Sequence, residues 1–227
     1  MTDRSCTAVI VAAGSASRMR GIDKTVAPIA GVPMILRTVR ALATAPSVTE
    51  IVIVTREDLI PTVTDLCRGE EKVAAVVAGG SDRTASVLNG LQVARGALVA
   101  IHDGARPFVT ETIIEEAIAT AMKYDGAAPA IPVKDTIKIA EGRQIRGTPD
   151  RSGLFAVQTP QVFPRAVIET ALRQAVERGI TLTDDCSAAE AAGLTVVLTE
   201  GSDENIKITT PVDLIFGEAI LQRRSES

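Results

Sequence analysis

Short apolar runs alternate with longer stretches of helical periodicity through the first half of the chain. Residues 7–12, 51–55, 73–78, 98–102 and 127–131 are too short for helices and consist mainly of Val, Ile, Leu and Ala, so they read as buried strands. Residues 33–44, 84–94 and 110–124 read as helices, with Thr110 followed by Glu111 predicting an N-terminal cap for the last of them. Strand and helix in alternation predict an α/β fold built on a doubly wound, mostly parallel Rossmann-like sheet.

After Pro132 the rhythm changes. Residues 133–140 alternate polar and apolar side chains, Glu141-Gly142 offers a turn, and 144–148 look extended again. Two short strands about a glycine predict a protruding β-hairpin arm over residues 133–152. The core pattern is expected to resume at 155–158. Helices follow at 164–178 and 184–192, a strand at 195–199, and a closing helix at 211–223 with Pro211 in its first turn. Residues 1–227 show no repeat, low-complexity tract or linker, which predicts a single domain carrying the arm as an insertion.

Composition sharpens this picture. Hydrophobic residues make up 46% of the chain but aromatics only 2%, so the core must be made of Val, Ile, Leu and Ala, as suits parallel strands under Ala-rich helices. The net charge is -4 and the basic residues are scattered apart from Arg223-Arg224, which excludes nucleic acid as a partner. The three cysteines are far apart and form no CxxC pair, so free thiols in a reducing cytoplasm are expected. Arg4 and the apolar run 6–13 faintly imitate a signal peptide, but the run is short and Arg18 and Arg20 follow it, so a first strand is the better reading. No stretch approaches the ~20 apolar residues that span a membrane.

The first strand runs into Ala12-Ala13-Gly14-Ser15-Ala16-Ser17-Arg18-Met19. A small-residue loop at that point of an α/β sheet lets backbone N–H groups approach a phosphate, and Arg18 and Lys24 add two cations. The loop is neither G-x-G-x-x-G nor a Walker A sequence, which weakens dehydrogenase and P-loop readings. Taken alone it is equally a tight turn beside a solvated basic edge. Asp103 follows the fourth expected strand at its carboxyl end, where ligands collect, although aspartate also caps turns. His102 is the only histidine, so a catalytic triad or metal site would rest on it alone; it is expected to pack at a strand end. Lys207, by its flanking residues, reads as a surface lysine on an edge strand.

Ala12-Ala13-Gly14-x-x-x-Arg18-Met19 followed by Lys24 resembles the opening signature of sugar-nucleotide and related nucleotidyltransferases, molybdenum-cofactor guanylyltransferases included. Further blocks recur in order: Gly79-Gly80-Ser81-x-Arg83-x-x-Ser86-Val87, His102-Asp103-Gly104-Ala105-Arg106-Pro107, Pro132-Val133-x-Asp135-Thr136-Ile137-Lys138, Thr159-Pro160-Gln161-x-Phe163, Thr183-Asp184-Asp185-x-Ser187 and Asn205-Ile206-Lys207-Ile208-Thr209. The series, from Ala12 to Leu214, resembles the 2-C-methyl-D-erythritol 4-phosphate cytidylyltransferases of the non-mevalonate isoprenoid pathway. Where that family commonly has Pro-Lys-Gln around its lysine, this chain has Asp23-Lys24-Thr25, and Ala16 stands where glycine is frequent.

The resemblance implies a nucleotide-diphospho-sugar transferase fold and transfer of CMP from CTP to a small polyol phosphate, with Mg²⁺ as cofactor. It implies Arg18, Lys24 and Lys207 as the catalytic cations. Ala12, Ala13, Gly14, Gly79, Gly80, Ser81, Ser86 and Asp103 would bind the nucleotide, with Asp103 also at the metal. Arg106, Thr136, Arg151, Thr159 and Thr183 would bind the acceptor. It further implies a homodimer joined through the arm, with Thr136 and Arg151 serving the partner's site. Two rivals stand beside it: a ribitol 5-phosphate cytidylyltransferase, and a non-catalytic nucleotide-binding domain of the same fold. The blocks around Asp135 and Thr183 favour the first reading over ribitol phosphate. Arg18, Lys24, Asp103 and Lys207 together argue against a non-catalytic domain.

Overall fold

The structure, a computed structural model, describes residues 5–14 and 25–226. In chain order the elements are β1 (Cys6–Ala12), β2 (Pro28–Ile29), β3 (Val32–Pro33), α1 (Met34–Ala43), β4 (Val48–Thr55), α2 (Ile60–Leu66), β5 (Val73–Ala78), α3 (Arg83–Val93), β6 (Leu98–Asp103) and α4 (Glu111–Ala121). They continue with β7 (Gly126–Pro132), β8 (Ile139–Glu141), β9 (Gln144–Gly147), β10 (Phe155–Val157), β11 (Gln161–Pro164), α5 (Arg165–Glu177), α6 (Asp185–Ala191), β12 (Val196–Glu200) and α7 (Pro211–Ser225).

The main sheet has eight strands in the order β10-β7-β11-β6-β1-β4-β5, with β12 also paired to β7. β1 pairs in parallel with β4 and β6, β4 with β5, and β7 with β12. β11 runs antiparallel between β6 and β7, and β10 antiparallel to β7. The expected mostly parallel sheet is therefore present.

Strand alternation divides the core. Ala8, Ile10, Ile51 and Ile53 pack with α1, α2 and α4 through Ile35, Val39, Val63, Ile114 and Ala117. Val9, Val52, Val54 and Ile101 point the other way, onto Val87, Leu91, Ile168, Leu172 and Ala188 of α3, α5 and α6. Successive side chains of a strand face opposite layers, so covering both faces needs the near-continuous apolar runs seen in the sequence. A third cluster, Ile29, Met34, Phe108 and Ile208, seats α7 through Leu214, Ile220 and Leu221.

Several helix starts are capped by side chains, that of α4 by Thr110 as the sequence predicts. Thr110 accepts from the Ile113 amide, Asp184 from Ser187, and Asp213 from the Thr209 and Thr210 amides at 2.8 Å. The start of α3 is capped by Asp82, whose carboxylate accepts from the Ala85 amide at 2.8 Å.

β8 and β9 form their own antiparallel pair, turning at Gly142 with φ +58°, a conformation that suits glycine. The base of this hairpin closes where the Val133 amide donates to Leu154 O at 3.0 Å. Residues 155–158 do not resume the core as the pattern suggests. β10 is exposed along its length, with Phe155 44% and Val157 37% accessible, and burial returns only at Gln158.

Candidate active site

Because β1, β4, β5 and β6 run in parallel, their carboxyl ends share one edge of the sheet, the edge where α/β proteins collect ligands. A cavity of about 370 Å³ opens there. One wall is the end of β1, from Val11 to Gly14; the opposite wall is Gly80 to Arg83 with Ser86; Asp103 to Ala105 and Lys207 close the side. The loops approach so closely that a Cβ on Gly79 would sit 2.3 Å from Ala13 Cβ, and one on Gly80 would sit 2.4 Å from Ala85 Cβ. Only glycine permits that approach. Ser86 braces the turn: its hydroxyl accepts from the Gly80 amide at 3.0 Å and donates to Asp82 O at 2.8 Å.

Asp103, the last residue of β6, is the centre of charge. Lys207 Nζ lies 2.8 Å from its Oδ2, and Arg106 Nε lies 3.4 Å from the same oxygen. Burial favours the neutral acid, but the Lys207 ammonium, then Arg83 and Arg106, outweigh it and hold the carboxyl down at about 2. It is therefore ionised at neutral pH. Lys207 sits in the extended segment between β12 and α7 rather than on a strand, and its side chain is 42% exposed toward the cavity.

Behind Asp103 lies a closed polar network. The Asp103 amide donates to Thr159 Oγ at 3.1 Å, and Thr159 Oγ lies 3.0 Å from His102 Nδ1. His102 Nε2 lies 3.0 Å from the Arg106 carbonyl, which can only accept. Nε2 therefore carries the proton, and Nδ1 accepts from the Thr159 hydroxyl. Burial drives the imidazole pKa down to about 4, so His102 is neutral and fully engaged. Arg106 donates from Nη1 to Asn205 O at 2.6 Å, and Asn205 Nδ2 donates to Thr159 O at 3.0 Å. The network fixes the backbone of Asp103 and ties the Lys207 segment to β6.

A second charged pair stands in the opposite wall. Arg83 Nη1 and Nη2 donate to the two oxygens of Asp185 at 2.9 and 2.6 Å. Burial opposes the guanidinium charge, but the carboxylates of Asp185, Asp103 and Asp184 outweigh it and strengthen its hold on the proton. Arg83 appears within a motif block of the sequence yet was not a candidate site residue. Its position directly after a capping aspartate at the start of a helix was the available signal.

The structure thus gathers Ala12, Ala13, Gly14, Gly80, Ser81, Ser86, Asp103 and Lys207 around one cavity, with Gly79 at its edge. Arg106 and Thr159 stand behind Asp103, with their polar groups turned into the network. Thr136 and Arg151 lie at the base of the hairpin, where Arg151 donates to Lys134 O. Thr183 Oγ meets Ser187 Oγ at 2.8 Å at the start of α6. Arg18 and Lys24 lie outside the described residues. Cys6, Cys67 and Cys186 are all buried, and burial raises the first two thiols to about 12 and about 11 and the third further, so none is poised as a thiolate nucleophile. Among the described residues no group of three metal-ligating side chains occurs, and no helix is long and apolar enough to cross a membrane.

Relatives extend over nearly the whole chain. The sequence model of the 2-C-methyl-D-erythritol 4-phosphate cytidylyltransferase family matches residues 6–223. A protein of that name from Caldanaerobacter subterraneus is 44% identical, over 95% of this chain and 98% of its own. One from Geobacillus kaustophilus is 43% identical, over 96% and 97%. Among solved structures, the 4-diphosphocytidyl-2C-methyl-D-erythritol synthase of Anaerococcus prevotii superposes with a TM-score of 0.86 at 29% identity, covering 96% of this chain and 98% of its own. The Thermus thermophilus cytidylyltransferase superposes with a TM-score of 0.80, also at 29% identity, covering 94% and 98%.

Proposed function

The chain belongs to the 2-C-methyl-D-erythritol 4-phosphate cytidylyltransferase family, and from that premise we propose how its residues move CMP from CTP to 2-C-methyl-D-erythritol 4-phosphate. An oxygen of the acceptor phosphate forms a bond to the α-phosphorus of CTP, the bond from that phosphorus to the bridging oxygen breaks, and pyrophosphate leaves. The product is 4-diphosphocytidyl-2-C-methyl-D-erythritol. The attacking phosphate is already ionised, so no general base is required, which accords with a lone histidine that is buried and neutral. Positioning and charge neutralisation carry such a reaction.

The observation that carries the reading is the Asp103–Lys207 pair on the wall of the cavity. Lys207 is held on one side by Asp103 and keeps its other ammonium donors for phosphate oxygens, where a fixed cation stabilises the charge that develops at the α-phosphorus. Lys24 and Arg18, assigned by family resemblance, are the companion cations for the triphosphate. Ala13 and Gly14 line the cavity.

A divalent cation such as Mg²⁺ fits the donor set. Both cationic partners of Asp103 take Oδ2, and Oδ1 has no partner among the described residues, which leaves one ionised, hard oxygen free at the cavity. Mg²⁺ takes one or two carboxylates and fills its shell with phosphate oxygens and water. When bound it would neutralise triphosphate charge there.

The acceptor pocket is proposed to be completed across a homodimer. Ile139 and Ile145 of the hairpin are 58% and 65% exposed, beside the exposed Phe155 and Val157. A two-stranded hairpin is marginal alone, and these side chains offer it a surface on which to dock. Thr136 and Arg151 at its base would then serve the partner's pocket, with Thr183 completing it and Thr159, its hydroxyl engaged by the Asp103 amide and His102, acting only through that network.

Pyrophosphate release with each of the four nucleoside triphosphates and each of methylerythritol 4-phosphate and ribitol 5-phosphate tests the proposal. CTP with the methylerythritol phosphate should be fastest. Faster turnover with ribitol 5-phosphate or with GTP would overturn it.

A further inference from the structure

Burying an ion pair is a poor source of stability, because desolvation offsets most of the attraction and an apolar pair often does as well. Asp185 is fully buried, and although burial pushes its carboxyl pKa up against the pull of the Arg83 guanidinium, it meets that guanidinium in two parallel hydrogen bonds. Where that pair sits suggests what it does. Arg83 is the first residue of α3, directly after the capping Asp82, and it forms part of the cavity wall with its side chain 31% exposed. A guanidinium has five donors. Only Nη1 and Nη2 are engaged by Asp185, and no bond from Nε is found among the described residues.

Asp185 is itself held rigidly. Gln161 Oε1 accepts from the Asp185 and Cys186 amides at 2.9 and 3.0 Å, and Gln161 Nε2 donates to Asp184 Oδ2 at 2.8 Å. Gln161 in turn pairs with Ile101 of β6, two positions before Asp103. A continuous chain of contacts therefore runs from the strand that bears Asp103, through Gln161 and the start of α6, to the back of Arg83.

We propose that Asp185 is a positioning residue that acts through Arg83, clamping the guanidinium from behind so that its free N–H groups face the nucleotide in the cavity. Arg83 itself touches the nucleotide. This rests on the reading of the cavity as the CTP site. The planar fork matters because lysine in its place keeps the charge but loses the two-point clamp.

The test compares Asp185→Asn, Arg83→Lys and the double variant with the wild-type enzyme. CTP affinity is read by titration calorimetry, which needs no turnover, and KM and kcat by pyrophosphate release. Losing one charge-assisted contact should weaken CTP binding about tenfold. Either single variant should raise Kd and KM for CTP by about that factor, with kcat and the KM for the acceptor changed less than threefold. The double variant should be no worse than the poorer single, because both changes break one unit. Unchanged CTP affinity in a folded Asp185→Asn, even with a lowered melting temperature, would overturn the clamp and leave a purely structural pair. So would two losses that add in full. Should Asp185→Asn fail to fold, Arg83→Lys with normal CTP affinity overturns it equally. Failure of the wild type to transfer CMP would instead count against the function proposed above, since the calorimetric comparison stands without catalysis.

Discussion

His102 gives the structure a specific acid sensitivity. The imidazole is fully buried, donates to the Arg106 carbonyl and accepts from Thr159, and its pKa falls from 6.5 to about 4. The groups facing it are the Asp103 carboxylate, which favours its protonation, and Arg106 and Lys207, which oppose it. In the unfolded chain the ring takes up a proton near pH 6.5, whereas in the folded protein it resists until about pH 4. Stability is therefore full above pH 6.5 and is lost as the pH falls through that window. At about 1.4 kcal/mol for each tenfold change in proton affinity, the drop amounts to about 3 kcal/mol in all, of which about 2.5 kcal/mol is lost between pH 7 and 4.5. His102→Gln supplies the control, because it keeps a donor for the Arg106 carbonyl and removes the titration. Urea unfolding of both proteins at half-unit steps from pH 7.5 to 4.5 should show the variant less stable at neutral pH, by the scale of one lost buried hydrogen bond, about 1–3 kcal/mol. The gap should close by about 2.5 kcal/mol at the acid end. A gap that stays constant across the range would show that His102 is not a buried neutral imidazole, and the network behind Asp103 would have to be redrawn.

Other outcomes follow from the same site. Lys207→Ala and Lys24→Ala should each lower kcat at least ~10²-fold, the scale for one preorganised charge at a transition state; near-normal kcat in either would remove that residue from the mechanism. Activity should vanish in excess EDTA and return with Mg²⁺, and full activity in EDTA would refute the role given to Asp103 Oδ1. Lys24→Ala and Arg151→Ala homodimers should each be nearly inactive. Co-refolded in equal amounts, half the dimers are mixed with one intact site of two, so activity should recover to about a quarter of wild type. Mixed dimers that form and stay inactive would place the hairpin's contribution within its own subunit.

The central sheet was legible because strands buried on both faces must be apolar almost throughout, and β1, β4, β5, β6 and β7 carry that signature. β4 begins at Val48 rather than 51 because Glu50 interrupts the apolar run while its carboxylate is taken up by the Thr7 hydroxyl at 2.7 Å. β11 was missed because Pro160 and Pro164 bracket it and mimic a loop. α2 was missed because it is short and buries only Val63, leaving no apolar stripe to read. β10 misled for the opposite reason: Phe155 and Val157 have the pattern of a core strand but lie exposed at the sheet. At the site, Asp103 was legible from its place at the carboxyl end of a strand, whereas Gly79 and Gly80 came only from the family resemblance. The Arg83–Asp185 pair could not, since its partners lie 102 residues apart and only folding brings them together. The same holds for the polar network in which Thr159, Arg106 and Asn205 are joined.

The proposed reaction is a single in-line displacement in which the protein supplies charge and position but no nucleophile: its three thiols are buried and protonated, and its one imidazole is spent on Thr159 and Arg106. The stereochemistry at the α-phosphorus reports on this directly. With one diastereomer of CTP carrying sulfur at the α-phosphate, and methylerythritol 4-phosphate as acceptor, ³¹P NMR of the product should show inverted configuration. Retention would mean two successive displacements through a covalent nucleotidyl-enzyme, and would contradict the mechanism drawn from Asp103, Lys207 and the cavity they line.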